Sequence, residues 1–471
     1  MKRINNLILA LAMIMAAATA KAQDVSPVSF LRMNPYQLNT DVATDLPYYC
    51  YFSVGIGNFG AHFEHPRFRF RDLFNFNSDG SPWSFDLGSF ANSLNQENSM
   101  AFSMNENLLN FGYRVGDGMI SFRHNYRVQS TANFGYSLFK LLAFGNGDFL
   151  GEDNPAIVHL GLNAQAYNEY ALGYQLRINE HLSVGVRAKL LFGLADIKTN
   201  AFDMRFYTDP DNYDLHLQEN VDVRFALPRM IYLTDDGLNF DGPFGISDFY
   251  HNAGFGLDLA ADYRINKQFC VTMAINDLGF INWNQNNIAL VGHVSDAGHY
   301  YDEGSFVFDG FDINQLQLII SDKSYRELFM DTLKQYFGME LEPSDRYSTI
   351  LPSSFLLRGS FDLNPNNRFS AQFQGCFRGD GFYPAMTVAY GGSFFDKIEV
   401  SGTCTMMRGS YTNIGVGVGF NLGAFHIYGA TSNVLKNFTL GSTKIWDVQM
   451  GIVFNLWDKS DRIGTMTPDY F

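Results

Sequence analysis

The sequence predicts an all-β fold, a transmembrane antiparallel β-barrel of about 14 strands. Three observations predict this class. Apolar and polar residues alternate over runs of about 10 residues, the length of a tilted strand that crosses a membrane. The chain of 471 residues is 16% aromatic and only 17% charged. Its first 22 residues are typical of an export signal.

Composition excludes several other classes of protein. A disordered chain would lack the 45 Phe and 25 Tyr residues. The formal net charge of −15 argues against a nucleic-acid-binding protein, because such proteins normally carry a basic excess. No segment has the roughly 18 consecutive apolar residues of a membrane-spanning helix. An exported chain with these properties enters a membrane as strands, if it enters one at all.

The N-terminus has the three parts of a signal peptide. Lys2 and Arg3 supply the positive charge, and an apolar run follows from Leu7 to Ala20. Ala20-Lys21-Ala22 is an A-x-A cleavage site, so residues 1–22 are expected to be removed. Residues 23–48 then form a polar N-terminal arm or plug, and 49–471 form the barrel.

Alternation and turns together give the strand count. The alternation is clear in Leu182–Phe192 and in Ile414–Leu422, where apolar residues take every second position. Six tight polar turns lie between such runs: Gly116-Asp117-Gly118, Asn179-Glu180-His181, Asn266-Lys267-Gln268, Asn364-Pro365-Asn366-Asn367, Asp396-Lys397 and Gly423. They predict twelve strands, and a first strand near Tyr49–Phe59 and a last near Ile445–Trp457 make 14. The pair Asp196–Thr208 and Tyr213–Ala226 is an outer hairpin, or raises the count to 16 if it spans.

Two loop insertions, at 61–107 and 284–350, interrupt the strand rhythm. The first contains a predicted short helix near Phe85–Leu94. The second contains an amphipathic helix near 314–338, with Leu328, Phe329 and Leu333 at helical spacing. Two interpretations of that helix stay open: a loop helix packed on the barrel rim, or a plug or partner-docking element.

The search for catalytic chemistry finds no motif. The sequence contains neither G-x-S-x-G nor H-E-x-x-H, and its four Cys residues form no C-x-x-C pair. We therefore predict a protein that is not an enzyme, with no catalytic residue, no cofactor and no metal site. Asp209, Asp211 and Asp214 are interpreted as a polar turn rather than as a calcium loop. Gly415, Gly417 and Gly419 lie within one strand, where they make room inside the barrel or let a plug approach closely.

Charged residues on the polar faces of the strands are the candidate lumen-facing residues. Both signs occur, which favours a filled or water-lined lumen with internal ion pairs over a strongly selective pore. Ion pairs without any role in transport are the alternative. The candidates are Arg123, Arg127, Arg187, Lys189, Asp258, Asp262, Arg358, Asp362, Arg378 and Glu399.

Several motifs resemble an uncharacterised family of Bacteroidetes-type outer-membrane barrels, a domain of unknown function. They are Met33-Asn34-Pro35, Phe144-Gly145-Asn146-Gly147, Glu169-Tyr170-Ala171-Leu172-Gly173-Tyr174, Gly254-Phe255-Gly256-Leu257-Asp258-Leu259 and Asp277-Leu278-Gly279-Phe280-Ile281-Asn282-Trp283. The architecture is similar to the long-chain fatty-acid transporter (FadL-type) barrel, which usually has 14 strands. The resemblance implies no functional residues, because the family has none established.

The expected function is that of a passive, porin-like transporter or channel in the outer membrane of a Gram-negative cell. Its expected partners are outer-membrane lipid and small, hydrophobic solutes, with no nucleic acid. The alternative is a barrel scaffold that binds partner proteins through its extracellular insertions, in secretion or surface-lipoprotein assembly. A barrel hydrolase, with catalytic residues assembled from separate strands, is a remote third hypothesis.

Overall fold

Fourteen antiparallel strands close into a barrel in the computed structural model of the chain, each pairing with the next and the last with the first. The strands are β1 (Tyr48–Glu64), β2 (Asn98–Val115), β3 (Gly118–Phe134), β4 (Ala156–Arg177), β5 (Leu182–Thr208), β6 (Ala253–Arg264), β7 (Phe269–Trp283), β8 (Ser354–Asn364), β9 (Asn367–Arg378), β10 (Gly381–Phe394), β11 (Ile398–Met407), β12 (Ser410–Leu422), β13 (Phe425–Thr431) and β14 (Ile445–Trp457). The structure describes residues 25–64, 74–75, 84–85, 87–211, 215–234, 237–243, 245–294, 324, 338–378, 381–395, 397–407, 410–437 and 445–457. The predicted barrel of 14 strands is therefore confirmed.

The six predicted turns join strand pairs at one end of the barrel, called here the turn end. Asp396, in the fifth turn, lies outside the described residues. Tyr48 at the start of β1 pairs with Trp457 at the end of β14, so both ends of the barrel sequence meet there too. Longer connections join the strands at the opposite end, called here the loop end.

The wall continues beyond the barrel at the loop end. β5 has 27 residues, whereas a tilted spanning strand needs about 9–11. Its second half leaves β6 and pairs with the strand Leu215–Ala226, which in turn pairs with Asn287–Val294. The predicted pair 196–208 and 213–226 is thus an outer hairpin, and it adds no strand to the barrel. Short strands Glu340–Pro343 and Tyr347–Ile350 complete this extension.

Alternation along each strand separates an apolar outer face from a polar inner face. In β12 and β13, Phe420 and Phe425 are exposed on the outside, while Asn421 and His426 are buried inside. Large side chains on the outer face suit lipid, and small or charged ones suit a filled interior. Among the described residues, no helix is both long and apolar enough to cross a membrane.

The segment 25–47, called here the arm, lies inside the barrel. Two short 3-10 turns, Pro27–Phe30 and Pro35–Asn39, begin at Ser26 and Asn34, whose side chains accept backbone N–H groups. The arm begins towards the loop end, where Val25 packs with Ala385 and Met407. It ends near the turn end, where β1 starts. Its apolar side chains form a cluster with residues of the inner wall.

Short helices and loop strands lie at the loop end. The predicted helix near Phe85–Leu94 is confirmed as Leu87–Ser93, and it packs on a second helix, Tyr136–Phe144. Other short elements are the strands Phe74–Asn75, Ser84–Phe85, Tyr232–Thr234 and Gly237–Asn239, the 3-10 turn Ile246–Tyr250 and the helix Val434–Asn437. The helix predicted near 314–338 falls almost wholly outside the described residues.

The strands extend further than the predicted insertions allow. Residues 61–64 and 98–107, assigned to the first insertion, continue β1 and β2. Residues 287–294, 340–343 and 347–350, assigned to the second, are strands of the outer extension. Polar residues at the water-exposed ends of long strands weaken the alternation that marks a membrane-spanning run. The sequence pattern therefore makes the predicted strands too short.

Candidate functional site

A network of buried charges lies on the inner wall of five adjacent strands, β3 to β7. Four bases and three acids take part, and each is held by at least one oppositely charged neighbour. The members of this charge network are Arg123, Arg127, Glu169, Arg187, Lys189, Asp258 and Asp277. Buried charges are costly unless they are paired, so the loss of one of these seven side chains destabilises the wall through the partners it leaves.

Lys189 is the centre of the charge network and is only 2% exposed. Its Nζ lies 2.7 Å from Asp258 Oδ1, 2.6 Å from Asp277 Oδ1 and 3.7 Å from Glu169 Oε2. One ammonium group therefore contacts carboxylates from three different strands. The cross-strand pairing of β5 with β4 and β6 brings these side chains to one level of the barrel.

Arginines complete the charge network around the same three acids. Glu169 accepts hydrogen bonds from Arg123 at 2.9 Å and from Arg127 at 2.8 Å. Arg127 also binds both oxygens of Asp277, at 2.8 and 3.1 Å. Such two-pronged guanidinium–carboxylate pairs fix geometry as well as charge. Arg187 lies 3.3 Å from Asp258.

Asp277 reaches the interior because β7 contains a bulge. The register of β6 with β7 shifts between Leu257 and Leu259, so that two residues of β7 oppose one of β6. Asp277 has a φ of 61°, and its backbone N–H donates to Asp258 Oδ1 at 2.8 Å. The bulge turns a side chain inward that regular alternation would place elsewhere.

The arm is fastened to the inner wall by hydrogen bonds from several strands. Ser401 on β11 donates to the Pro27 carbonyl at 2.7 Å, and Asn276 on β7 donates to the Thr40 carbonyl at 3.0 Å. Glu399 accepts the Met33 backbone N–H at 2.5 Å. These partners lie far apart in sequence, so they hold the arm only once the barrel has closed.

Salt bridges hold the arm to the barrel wall at two places. One lies near the turn end, and the other involves a residue of β8. Asp45 pairs with Arg114 at 2.9 Å and also with Arg177. Arg32 of the arm lies 3.5 Å from Asp362. That carboxylate also binds Arg368 through two hydrogen bonds of 2.7 and 2.9 Å.

Inward-facing glycines let the arm lie directly on the wall. A Cβ on Gly185 would overlap the Val42 carbonyl, and one on Gly391 would overlap the carbonyl of Phe30. A Cβ on Gly415 would lie 2.7 Å from Pro27 Cγ. The glycines of the Gly415-x-Gly417-x-Gly419 run thus make room inside the barrel, and the first of them directly admits the arm.

We predict that Gly185→Val displaces the arm, because the new side chain meets backbone atoms that cannot rotate away. The free energy of unfolding should fall by about 1–3 kcal/mol, the usual cost of overpacking. Protease cleavage within residues 25–47 should become faster. Gly359→Val is the matched control, since a Cβ there meets no atom within 4 Å. Equal cleavage of the two variants would contradict the close packing described for the arm.

The ten candidate residues from the sequence fall into separate groups. Five belong to the charge network: Arg123, Arg127, Arg187, Lys189 and Asp258. Asp262 accepts a hydrogen bond from Thr272, and Asp362 binds Arg368. Arg358 donates to Gln372 at 2.9 Å and lies over the Phe30 ring of the arm. Glu399 binds the arm, and Arg378 lies over the Tyr383 ring.

Two central acids, Glu169 and Asp277, are absent from that set. Glu169 lies in a run dominated by tyrosine and alanine. The bulge in β7 turns Asp277 inwards, although regular alternation assigns it to the outer face. A signal was present, because each acid begins one of the motifs that carry the family resemblance.

One cavity adjoins the inner wall of the barrel, and another lies on the outer face near the loop end. A polar cavity of about 140 Å³ lies against the arm and the charge network. An apolar cavity of about 370 Å³ lies where β5 leaves the barrel, beneath the loop from Leu227 to Asn252. No group of three or more His, Cys, Asp or Glu side chains suited to a metal ion occurs within the described part of the chain.

The closed barrel, with its apolar outer face and charged interior, defines the class: a transmembrane β-barrel. The chain belongs to the family of unknown function DUF5723, whose model matches residues 43–432. The predicted membership of an uncharacterised barrel family is thereby confirmed. No curated protein matches the chain.

Solved structures similar to this chain include channels for hydrocarbons, a FadL homologue and porins. The Pseudomonas putida toluene transporter TodX is 8% identical, with a TM-score of 0.40, over 93% of this chain and 95% of that one. A Pseudomonas aeruginosa FadL homologue is 10% identical, with a TM-score of 0.43, over 93% and 97%. The monoaromatic hydrocarbon channel CymD is 7% identical, with a TM-score of 0.42, over 92% and 98%.

Proposed function

We propose that this protein is a passive outer-membrane transporter of small hydrophobic solutes in a Gram-negative cell. The apolar cavity carries the proposal. Its volume of about 370 Å³ lies in the range of about 300–1,000 Å³ that small-molecule sites occupy. In this account the turn end faces the periplasm and the loop end faces outside, as in other barrels with short periplasmic turns.

The lining of the apolar cavity suits a hydrocarbon-like molecule. Val128 on β3 and Ala195 on β5 contribute from the outer face of the barrel, and Leu227, Ile231 and Phe249 contribute from the loop. Polar groups stand among them in small number, as is usual where a few contacts orient an apolar ligand. One of these is His251, which lies 3.0 Å from the Gln285 amide.

The arm explains how such a transporter excludes hydrophilic molecules. It fills the interior with apolar side chains such as Val28, Leu31 and Met33, all of them fully buried. In this account it acts as the plug of the barrel, so that water-soluble compounds find no continuous aqueous path. Solutes that dissolve in apolar surroundings use the cavity at the loop end instead.

Filling the apolar cavity is expected to reduce solute entry. Ala195→Phe adds a ring to the lining, so uptake of the apolar dye N-phenylnaphthylamine should slow several-fold relative to cells that produce the original chain. Ala261→Phe is the matched control: Ala261 also faces outwards, between the exposed Leu259 and Tyr263 of β6, but it is not among the residues that line this cavity. The dye is measured by its fluorescence in intact cells, with the amount of folded barrel equalised by heat-modifiable migration in gels.

Two outcomes would count against this assignment. Uptake that is equal in cells with and without the protein would remove the transport function. Uptake that is slowed equally by Ala195→Phe and by Ala261→Phe would show that the apolar cavity is not the route.

A further inference from the structure

The polar cavity next to the arm is lined by more positive charge than its surroundings neutralise. Its volume is about 140 Å³, and the arm contributes Tyr36, Asn39 and Thr40 to one side. Four cationic side chains and one carboxylate face it from the barrel: Arg123, Arg127, Lys189, Arg378 and Asp277. The chain as a whole is acidic, so this excess of bases is a local property of the interior.

Arg378 is a cation of this cavity that has no carboxylate within ion-pair distance among the described residues. It is 9% exposed, and its Nε and Nη2 have no hydrogen-bond partner among the described residues. Its neighbour is the ring of Tyr383, whose centroid lies 4.0 Å from the guanidinium carbon. The face of an aromatic ring attracts a cation, but it does not replace an oxygen atom as the hydrogen-bond acceptor of the guanidinium N–H groups.

A buried guanidinium with free donors is destabilising unless an acceptor reaches it. Arg123 adds a second such donor to the same cavity, because its Nε also lacks a partner in the described part of the chain. The bases of the charge network already exceed its acids by one, and Arg378 raises the excess to two. An anion in the cavity would satisfy both the donors and the charge.

We propose that the polar cavity binds a small oxyanion, of the carboxylate or phosphate class. Oxyanions present two or more oxygens to the planar fork of a guanidinium, which a halide cannot do. The volume and polar lining exclude a long hydrocarbon chain. The ligand would lie between the barrel wall and the arm, in contact with both. This proposal is independent of the route taken by hydrophobic solutes.

Calorimetric titration of the full-length, detergent-solubilised barrel tests the site. Sodium phosphate and sodium acetate are each titrated against a sodium chloride background. We expect at least one oxyanion to bind, and Arg378→Gln to weaken that binding about ten-fold or more, since a charge-assisted hydrogen bond is lost. Lys267→Gln is the control, because it removes one positive charge from an exposed turn. Arg378→Lys keeps the charge without the fork and should bind with intermediate affinity.

Each result decides the proposal. Binding of phosphate alone, of acetate alone or of both supports the site and identifies the oxyanion it accepts. Absence of heat for both oxyanions at millimolar concentration overturns it, as does equal affinity in Arg378→Gln and Lys267→Gln. If Arg378→Gln fails to migrate as a folded barrel, unchanged affinity in Arg378→Lys overturns the proposal in its place.

Discussion

Replacing Lys189 by Met is expected to lower the free energy of unfolding by about 3–5 kcal/mol, the range for a broken buried ion pair. The substitution keeps most of the side-chain volume and removes the charge together with its N–H donors. It leaves Asp258 and Asp277 without the ammonium that lies 2.7 and 2.6 Å away. Urea-induced unfolding, followed by the loss of heat-modifiable migration, measures the change.

A double-mutant cycle separates charge pairing from packing. Asp258→Asn added to Lys189→Met removes the opposite charge, so the pair should cost less than the two single changes added together. Lys267→Met, in an exposed turn, should leave the midpoint nearly unchanged. If the Lys189→Met barrel were as stable as the original, the charge network would not hold the five strands together.

Deleting residues 25–47 is expected to open the lumen to small hydrophilic solutes. The arm occupies the interior from Asp45 near the turn end to Val25 towards the loop end, and its removal leaves a barrel lined by charged and polar side chains. Conductance of single barrels in planar bilayers should rise from near closed to a stable, water-filled level. Gly185→Val, which displaces the arm without shortening the chain, should give openings of intermediate frequency.

The control for the deletion is its own fold. The shortened chain must still migrate as a heat-modifiable barrel, because several arm residues belong to the apolar cluster inside the wall. Conductance that does not change in a correctly folded deletion would show that the arm does not close the lumen.

Most of the fold could be predicted from the sequence because its signals are local. A turn such as Gly116-Asp117-Gly118 predicts a hairpin, and a run such as Leu182–Phe192 predicts a strand. Each signal lies within about ten or twenty residues of the chain. The closure of β14 onto β1 follows once the count is even and no edge can stay open in lipid. The ends of the strands are predicted less accurately, because they extend out of the membrane and no longer show the lipid-facing pattern.

The candidate site was predictable only in part, because alternation gives the face of a residue and not its partner. Lys189 and Asp258 were placed on the polar face, yet nothing in the sequence joins them to Glu169 on β4. Alternation does not predict that Asp277 faces the interior, because a bulge in β7 changes the direction of its side chain. The contacts of the arm, such as Pro27 with Ser401, join residues hundreds of positions apart, and no local pattern records them.

Paired uptake by intact cells tests the central claim most directly. Entry of N-phenylnaphthylamine and of a hydrophilic chromogenic β-lactam is measured in the same cells, with the original chain, the 25–47 deletion or no barrel. We predict that the original chain speeds entry of the apolar dye alone, and that the deletion speeds entry of both compounds. Apolar dye uptake that is the same with the original chain as with no barrel would contradict the account.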